Sequence, residues 1–180
     1  MTALHHTVDH TPLGRLTIVC SADGVVATSF DDDDDERAAD LSLERVVAAY
    51  RPSDYGSATS DASARETSRT ARLEALGYLG GSLRAFSVPP DLALAPPGFA
   101  RAVLEVVATI PYAELWTYGD VAGLAGSPRA ARAAGSALAG CPIELFVPCH
   151  RVVHASGTLG GYGRHEERKR WLLRHEGVIG

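Results

Sequence analysis

A chain of 180 residues with 46% hydrophobic content has room for one domain or two small ones with a real core. It holds no run of about eighteen apolar residues, and its start, Met1-Thr2-Ala3-Leu4-His5-His6, has neither the basic region nor the apolar core of a signal peptide, so neither a membrane span nor export is expected. Three cysteines, an odd number, make no disulfide framework and suit a reducing cytoplasm, while a net charge of −5 argues against nucleic-acid binding along the whole chain.

His10-Thr11-Pro12-Leu13-Gly14-Arg15 reads as a turn, with proline and glycine at its corners. Leu16 to Cys20 and Val25 to Phe30 read as strands joined by an Asp23-Gly24 hairpin signal. His5, His6, His10 and Cys20 match no metal-ligand spacing, so no metal is expected. The run Asp31 to Asp35 repels itself and is expected to be a solvated loop away from any DNA. Leu43, Val46, Val47 and Tyr50 have helical spacing. Residues 52–70, rich in Ser, Ala, Thr and Asp, read as an exposed connection. Leu73, Leu76, Tyr78 and Leu79 suggest a helix ended by Gly80-Gly81. Ala95-Pro96-Pro97-Gly98 marks the expected boundary between a domain of residues 1–94 and one of residues 95–180.

Charge changes across that boundary. Residues 1–91 carry 15 acidic and 8 basic groups, whereas residues 92–180 carry 7 and 9, so a DNA-facing surface belongs to the second half. Phe99 to Thr109 is helical by pattern, and Thr117 leads a second short helix as a capping residue. Ser127 and Pro128 are expected as N-cap and first residue of a helix running to Ala139, completing a helix-turn-helix. Ala130, Ala131, Ala133, Ala134, Gly135 and Ser136 make that helix slim around the one long cation, Arg132. Two readings stay open: a core helix packed by its alanines with Arg132 solvated, or a helix that approaches DNA and inserts Arg132 from the minor groove.

Leu145, Phe146 and Val147 read as a short buried strand stopped by Pro148. Cys149, His150 and Arg151 follow, then Val152 and Val153. Three reactive polar groups between apolar runs need partners if they are buried. Cys149 is either a small core hydrophobe or a thiol activated by the neighbouring histidine. On an extended strand the two side chains point to opposite faces, which favours a bridging water over direct contact. Ser156 to Gly163 is a glycine-rich loop able to approach a planar ligand. In the last helix, Glu166 to Glu176, Leu172 and Leu173 share a face with Glu176, so Glu176 is expected inside, with His150 as partner; a helix-end glutamate reaching solvent is the alternative.

Ile110-Pro111-Tyr112, Thr117-Tyr118-Gly119, Pro128-Arg129-Ala130-Ala131-Arg132-Ala133, Val147-Pro148-Cys149-His150-Arg151-Val152-Val153, Leu159 to Tyr162 and Trp171 to Gly177 together resemble the O6-alkylguanine-DNA alkyltransferases. The resemblance spans roughly residues 96–177 in family order, and the Pro-Cys-His-Arg-Val core is its most specific piece. It implies an α+β fold: a small N-terminal domain with an antiparallel sheet and helix, then a mostly helical, winged-helix-like C-terminal domain. It also implies a single-use repair protein that takes an alkyl group from O6 of guanine, and from O4 of thymine, onto Cys149. His150 would deprotonate Cys149 through a water, Glu176 would orient His150, and Tyr118 would serve the leaving base. Arg132 would fill the gap left by the extruded base, with Ala130, Ala131, Gly135 and Ser136 against the DNA. Pro148, Val152, Tyr162, Gly163 and Arg164 would form the guanine pocket. The partner implied is double-stranded DNA, contacted through the minor groove by a monomer, with no cofactor, metal or membrane.

There are two departures from the family pattern. Cys141 stands where an asparagine is usual, and Arg164-His165 where a glycine pair is usual. The second departure predicts poorer reaction with bulky groups than with methyl. Two other readings compete: a non-enzymatic protein that flags alkylated guanine for other repair, and a Cys–His–Glu hydrolase of small molecules. The reactive cysteine argues against the first, and the slim arginine-bearing helix against the second.

Overall fold

β-branched and aliphatic residues near the N-terminus build a three-stranded antiparallel meander. In the computed structural model, which describes residues 4–31, 62–162 and 165–180, its strands are β1 (His5–Thr11), β2 (Gly14–Cys20) and β3 (Val25–Asp31), in the order β1-β2-β3. The expected pair β2 and β3 is present, and β1 adds a strand where a turn alone was expected over residues 10–15. The reversal itself is confined to Pro12-Leu13. Thr11 Oγ1 accepts from the Leu13 N–H and donates to the Gly14 carbonyl, so one side chain closes it. Glycine is required at position 24, because a Cβ there would lie 2.3 Å from the Pro89 oxygen. The close approach lets Val25 N–H donate to Pro89 and Asp91 N–H donate to Val25. Further along β3, Thr28 N–H donates to the Pro142 carbonyl and its hydroxyl to that of Glu144. The edge of β3 is thereby covered rather than left open to pairing.

Helix α1 (Ala62–Leu79) lies against this sheet, with Asp9 of β1 paired to Arg72 at 2.6 Å. It corrects the expected exposed connection: residues 62–70 are its first turns. Ala64, Ser68, Ala71 and Ala75 recur every three or four residues and form a buried stripe of small side chains. Composition alone resembles a linker; periodicity makes it a helix. Leu73 consequently points outward, about half exposed. The helix ends at Gly80-Gly81, as expected, with Gly81 in the left-handed region. The helix expected over residues 41–50, Asp32 to Asp35 and residues 52–61 lie outside the described residues.

The chain divides into two compact units, Met1–Leu94 with Pro142–Phe146, and Ala95–Cys141 with Val147–Gly180. In the second unit, α2 (Phe99–Val107) buries Val103, Leu104 and Val107. β4 (Trp116–Thr117) leads directly into α3 (Tyr118–Leu124), whose start is fixed by a capping box. Thr117 Oγ1 accepts from Asp120 N–H, and the Asp120 carboxylate accepts from Thr117 N–H. β4 pairs in parallel with β5 (Val152–Val153). The last helix is α5 (Glu166–His175), with Glu176 as its C-cap.

Three local expectations need correction. Helix α4 is Ala131–Ala139 and starts after Ala130, not at Pro128. Ser127 accepts from Ala130 N–H through its carbonyl, so Pro128 and Arg129 occupy a turn instead of a first helical turn. Leu145 to Val147 is not a strand. Leu145 has φ of 75° and residues 145–146 form a turn, although all three side chains are buried. After Pro148, Cys149–Arg151 wind into one turn of 3-10 helix rather than continuing extended. The α+β class holds, and no helix among the described residues is long and apolar enough to cross a membrane.

Candidate active site

Pairing of β4 with β5 sets the site. Trp116 faces Val152 and Thr117 faces Val153, so the turn preceding β5 and the helix following β4 end side by side. The turn carries Cys149, His150 and Arg151, all buried; the helix begins with Tyr118.

His150 Nε2 lies 2.6 Å from Glu176 Oε1, and both side chains are fully buried. Burial is the largest influence on the imidazole and lowers its pKa, outweighing the upward pull of Glu176. His150 is therefore neutral, with Nε2–H donating to the carboxylate and Nδ1 carrying the lone pair. Other donors converge on the Glu176 carboxylate. Arg151 Nε reaches both oxygens at 3.1 Å, its Nη2 reaches Oε1 at 3.0 Å, and the Ala113 N–H reaches Oε2 at 2.9 Å. Arg151 Nη1 also donates to the Ile110 carbonyl at 2.6 Å. Ala113 has φ of 61°, a left-handed conformation that non-glycine residues rarely hold. A buried carboxylate with this many donors is a built feature, not a frayed helix end.

Lys169 was not foreseen. Its side chain is fully buried; Nζ donates to the Val152 carbonyl at 2.5 Å and to the Leu159 carbonyl. Burial lowers its pKa to about 8, against the upward pull of Cys149 and Glu166. One signal was present in the sequence: Lys169 precedes Leu172, Leu173 and Glu176 by three, four and seven residues, on the same buried stripe. Tyr118 is half-buried, and its pKa is raised by burial and then by Cys149, so the phenol keeps its proton.

Cys149 and Tyr118 line one cavity of about 660 Å³ with His154, Gly161 and Tyr162. Ala131, Arg132, Gly135 and Ser136 line it from α4, and Arg132 is exposed. Gly135 approaches the Tyr118 ring: a Cβ there would lie 3.7 Å from it. Ala130 caps α4 outside the cavity lining, and Pro148 precedes the 3-10 turn. Val152 is buried in β5 with its carbonyl engaged by Lys169. Gly163 and Arg164 lie outside the described residues. A buried thiol, a neutral imidazole steered by a carboxylate, a protonated phenol and an exposed arginine thus belong to one connected region.

Comparison with known proteins bears on this arrangement. Residues 98–178 match the family described as 6-O-methylguanine DNA methyltransferase, DNA binding domain. Over 171 residues the chain is 34% identical to a methylated-DNA–protein-cysteine methyltransferase of Shigella flexneri, covering 94% of this chain and 93% of that one. The chain belongs to the methylated-DNA–protein-cysteine methyltransferase family. Its fold is similar to the crystal structure of the Mycobacterium tuberculosis O6-methylguanine methyltransferase, with a TM-score of 0.72 and 32% identity over 96% of this chain and 92% of that chain. A crystal structure of the M. tuberculosis protein in complex with DNA matches with the same TM-score and identity, over 96% of this chain and 93% of that chain. Within this methyltransferase family, then, the second unit of the chain corresponds to the DNA-binding domain.

Proposed function

We propose that this chain is a single-turnover DNA repair protein that transfers an alkyl group, methyl above all, from O6 of guanine in double-stranded DNA to Sγ of its own Cys149. O4-alkylated thymine, with the same exocyclic ether chemistry, is a second substrate. The observation that carries the reading is the buried Glu176–His150 hydrogen bond on the turn that sets Cys149 in the cavity wall. A neutral imidazole whose Nε2–H is committed to a carboxylate has its lone pair on Nδ1, the atom that acts as the base. Through a water, His150 takes the thiol proton, and the thiolate attacks the alkyl carbon. The S–C bond forms as the O6–C bond breaks. Tyr118, still protonated, donates to the departing guanine. Among the described residues that line the cavity, none is suited to cleaving the resulting thioether, so each molecule reacts once.

The base must leave the helix to reach Cys149. α4 is slim enough to lie against the sugar-phosphate backbone in the minor groove, with Arg132 entering the gap left behind. Contacts of this kind read the backbone and not the sequence, so binding weakens as salt rises. The protein acts as a cytoplasmic monomer and needs no cofactor.

The test is intact mass after mixing with duplex DNA containing O6-methylguanine. The expected result is a gain of one methyl group on Cys149, absent in Cys149→Ser. Binding without any gain in mass would instead make the chain a damage-recognition protein and would overturn the proposal.

A further inference from the structure

Tyr118 is held from several sides, and one of its neighbours belongs to none of the motifs above. His154 follows β5 and packs its ring against that of Tyr118, with centroids 5.0 Å apart and planes inclined by 50°. Its own backbone is fixed by a tight loop: its N–H donates to the Thr158 carbonyl, and Gly157 N–H donates to the His154 carbonyl. Gly160, with φ of 80°, comes back over the pair. A Cβ on Gly160 would lie 2.7 Å from Tyr118 Oη and 3.3 Å from His154 Nε2. The phenol oxygen and the imidazole nitrogen therefore border the same point. Both residues line the cavity that holds Cys149.

From this juxtaposition we infer that His154 is a positioning residue for Tyr118. Its ring is a wall that limits rotation of the phenol, and its Nε2 supplies a polar neighbour on the side where the hydroxyl lies. The inference rests on the proposed role of Tyr118 as hydrogen-bond donor to the leaving base. A hydroxyl flanked by an imidazole on one side has fewer orientations open to it, which favours the one aimed into the cavity. The position matters because His154 is exposed and makes no contribution to the buried core. Its side chain lies outside the buried core, so its identity can tune the reaction. Lys169, whose Nζ lies 5.9 Å from the centroid of the Tyr118 ring, is tied to two carbonyls.

The test separates binding from transfer, using the full chain and an O6-methylguanine duplex. His154→Leu is expected to lower the transfer rate at saturating DNA about tenfold. The Kd for the duplex should stay within about twofold, since the inferred role of His154 is to hold the Tyr118 hydroxyl and not to bind DNA. His154→Gln, which restores a polar group, should recover most of the loss. In a Tyr118→Phe background neither substitution should change the rate by more than about twofold, because the hydroxyl it acts through is gone. An unchanged rate in His154→Leu, or the same tenfold loss persisting in Tyr118→Phe, overturns the inference. If His154→Leu fails to fold, His154→Ala, which removes both the ring and the polar group, carries the same comparison in both backgrounds with the same criteria. Failure of the unmodified protein to gain a methyl group would overturn the transferase reading instead, a distinct outcome.

Discussion

Glu176 Oε1 accepts from His150 Nε2 at 2.6 Å and from Arg151 Nη2 at 3.0 Å, so one oxygen at the end of the last helix organises two consecutive residues of the reactive turn. Removing the carboxylate would strand a buried guanidinium and release the imidazole together. Glu176→Ala is expected to destabilise the fold by about 3–5 kcal/mol, the usual result of leaving a buried charge without its partner. Glu176→Gln keeps the shape and lowers the loss, but its amide cannot hold the imidazolium that forms during transfer. Its transfer rate should fall by roughly a hundredfold. Denaturant melts and single-turnover rates on the two variants check both statements.

Gly160 sits where a side chain would meet the Tyr118 hydroxyl. In Gly160→Ala the added Cβ would come to 2.7 Å from Oη, and the residue would keep a left-handed φ of 80°. The backbone strain should cost about 1–2 kcal/mol of stability. Displacement of the phenol should lower the transfer rate about tenfold or more. A variant that loses the stability but transfers at the parental rate would show that the phenol's position is unimportant.

Lys169 gives a pH signature. Its pKa is lowered from 10.5 to about 8 by burial, so between those values the unfolded chain binds more protons at this residue than the folded one. Stability from this group therefore rises as pH increases from about 8 towards 10.5, by at most about 3 kcal/mol. Below pH 8 the residue is charged in both states and contributes no slope. Comparing the pH dependence of unfolding free energy in the parent and in Lys169→Met isolates the effect. The parent should show the extra upward slope above pH 8, and the variant should lack it.

Arg132 is exposed on α4 and lines the cavity without joining the core. Arg132→Ala should leave stability within about 0.5 kcal/mol of the parent. Repair of methylated duplex should fall by roughly tenfold or more, because the gap left by the extruded base is no longer filled. Reaction with the free alkylated base, which needs no extrusion, should be unchanged. Equal losses on both substrates would place the arginine in the chemistry instead.

Signals that act over one or two turns were readable in the sequence. The Thr117 cap, the glycine stop after Leu79, and the shared face of Leu172, Leu173 and Glu176 all depend on neighbours in the chain. The start of α1 was misread because its buried face is made of alanine and serine, which carry little hydrophobic contrast. The turn at Leu145 looked like a strand because burial, not conformation, dictates aliphatic residues. The partners of Arg151 and Lys169 are hidden for a different reason. Lys169 has the carbonyls of Val152 and Leu159 as partners, and a carbonyl has no sequence signature; Arg151 reaches the Ile110 carbonyl and, far along the chain, the Glu176 carboxylate. His154 was likewise invisible, since its relation to Tyr118 and Gly160 exists only after the parallel pairing of β4 and β5 is made.

The five residues Pro142–Phe146 lie far along the chain yet belong with the first sheet, where the carbonyls of Pro142 and Glu144 receive Thr28 and the Phe146 ring meets Phe86 at 4.3 Å. Cutting the gene at residue 95 would not yield two self-sufficient halves. The C-terminal piece would inherit Ile143, Leu145 and Phe146 as an orphaned greasy loop, and the N-terminal piece would present a bare strand margin prone to clumping. Anyone wishing to miniaturise the protein would have to rewrite that loop first.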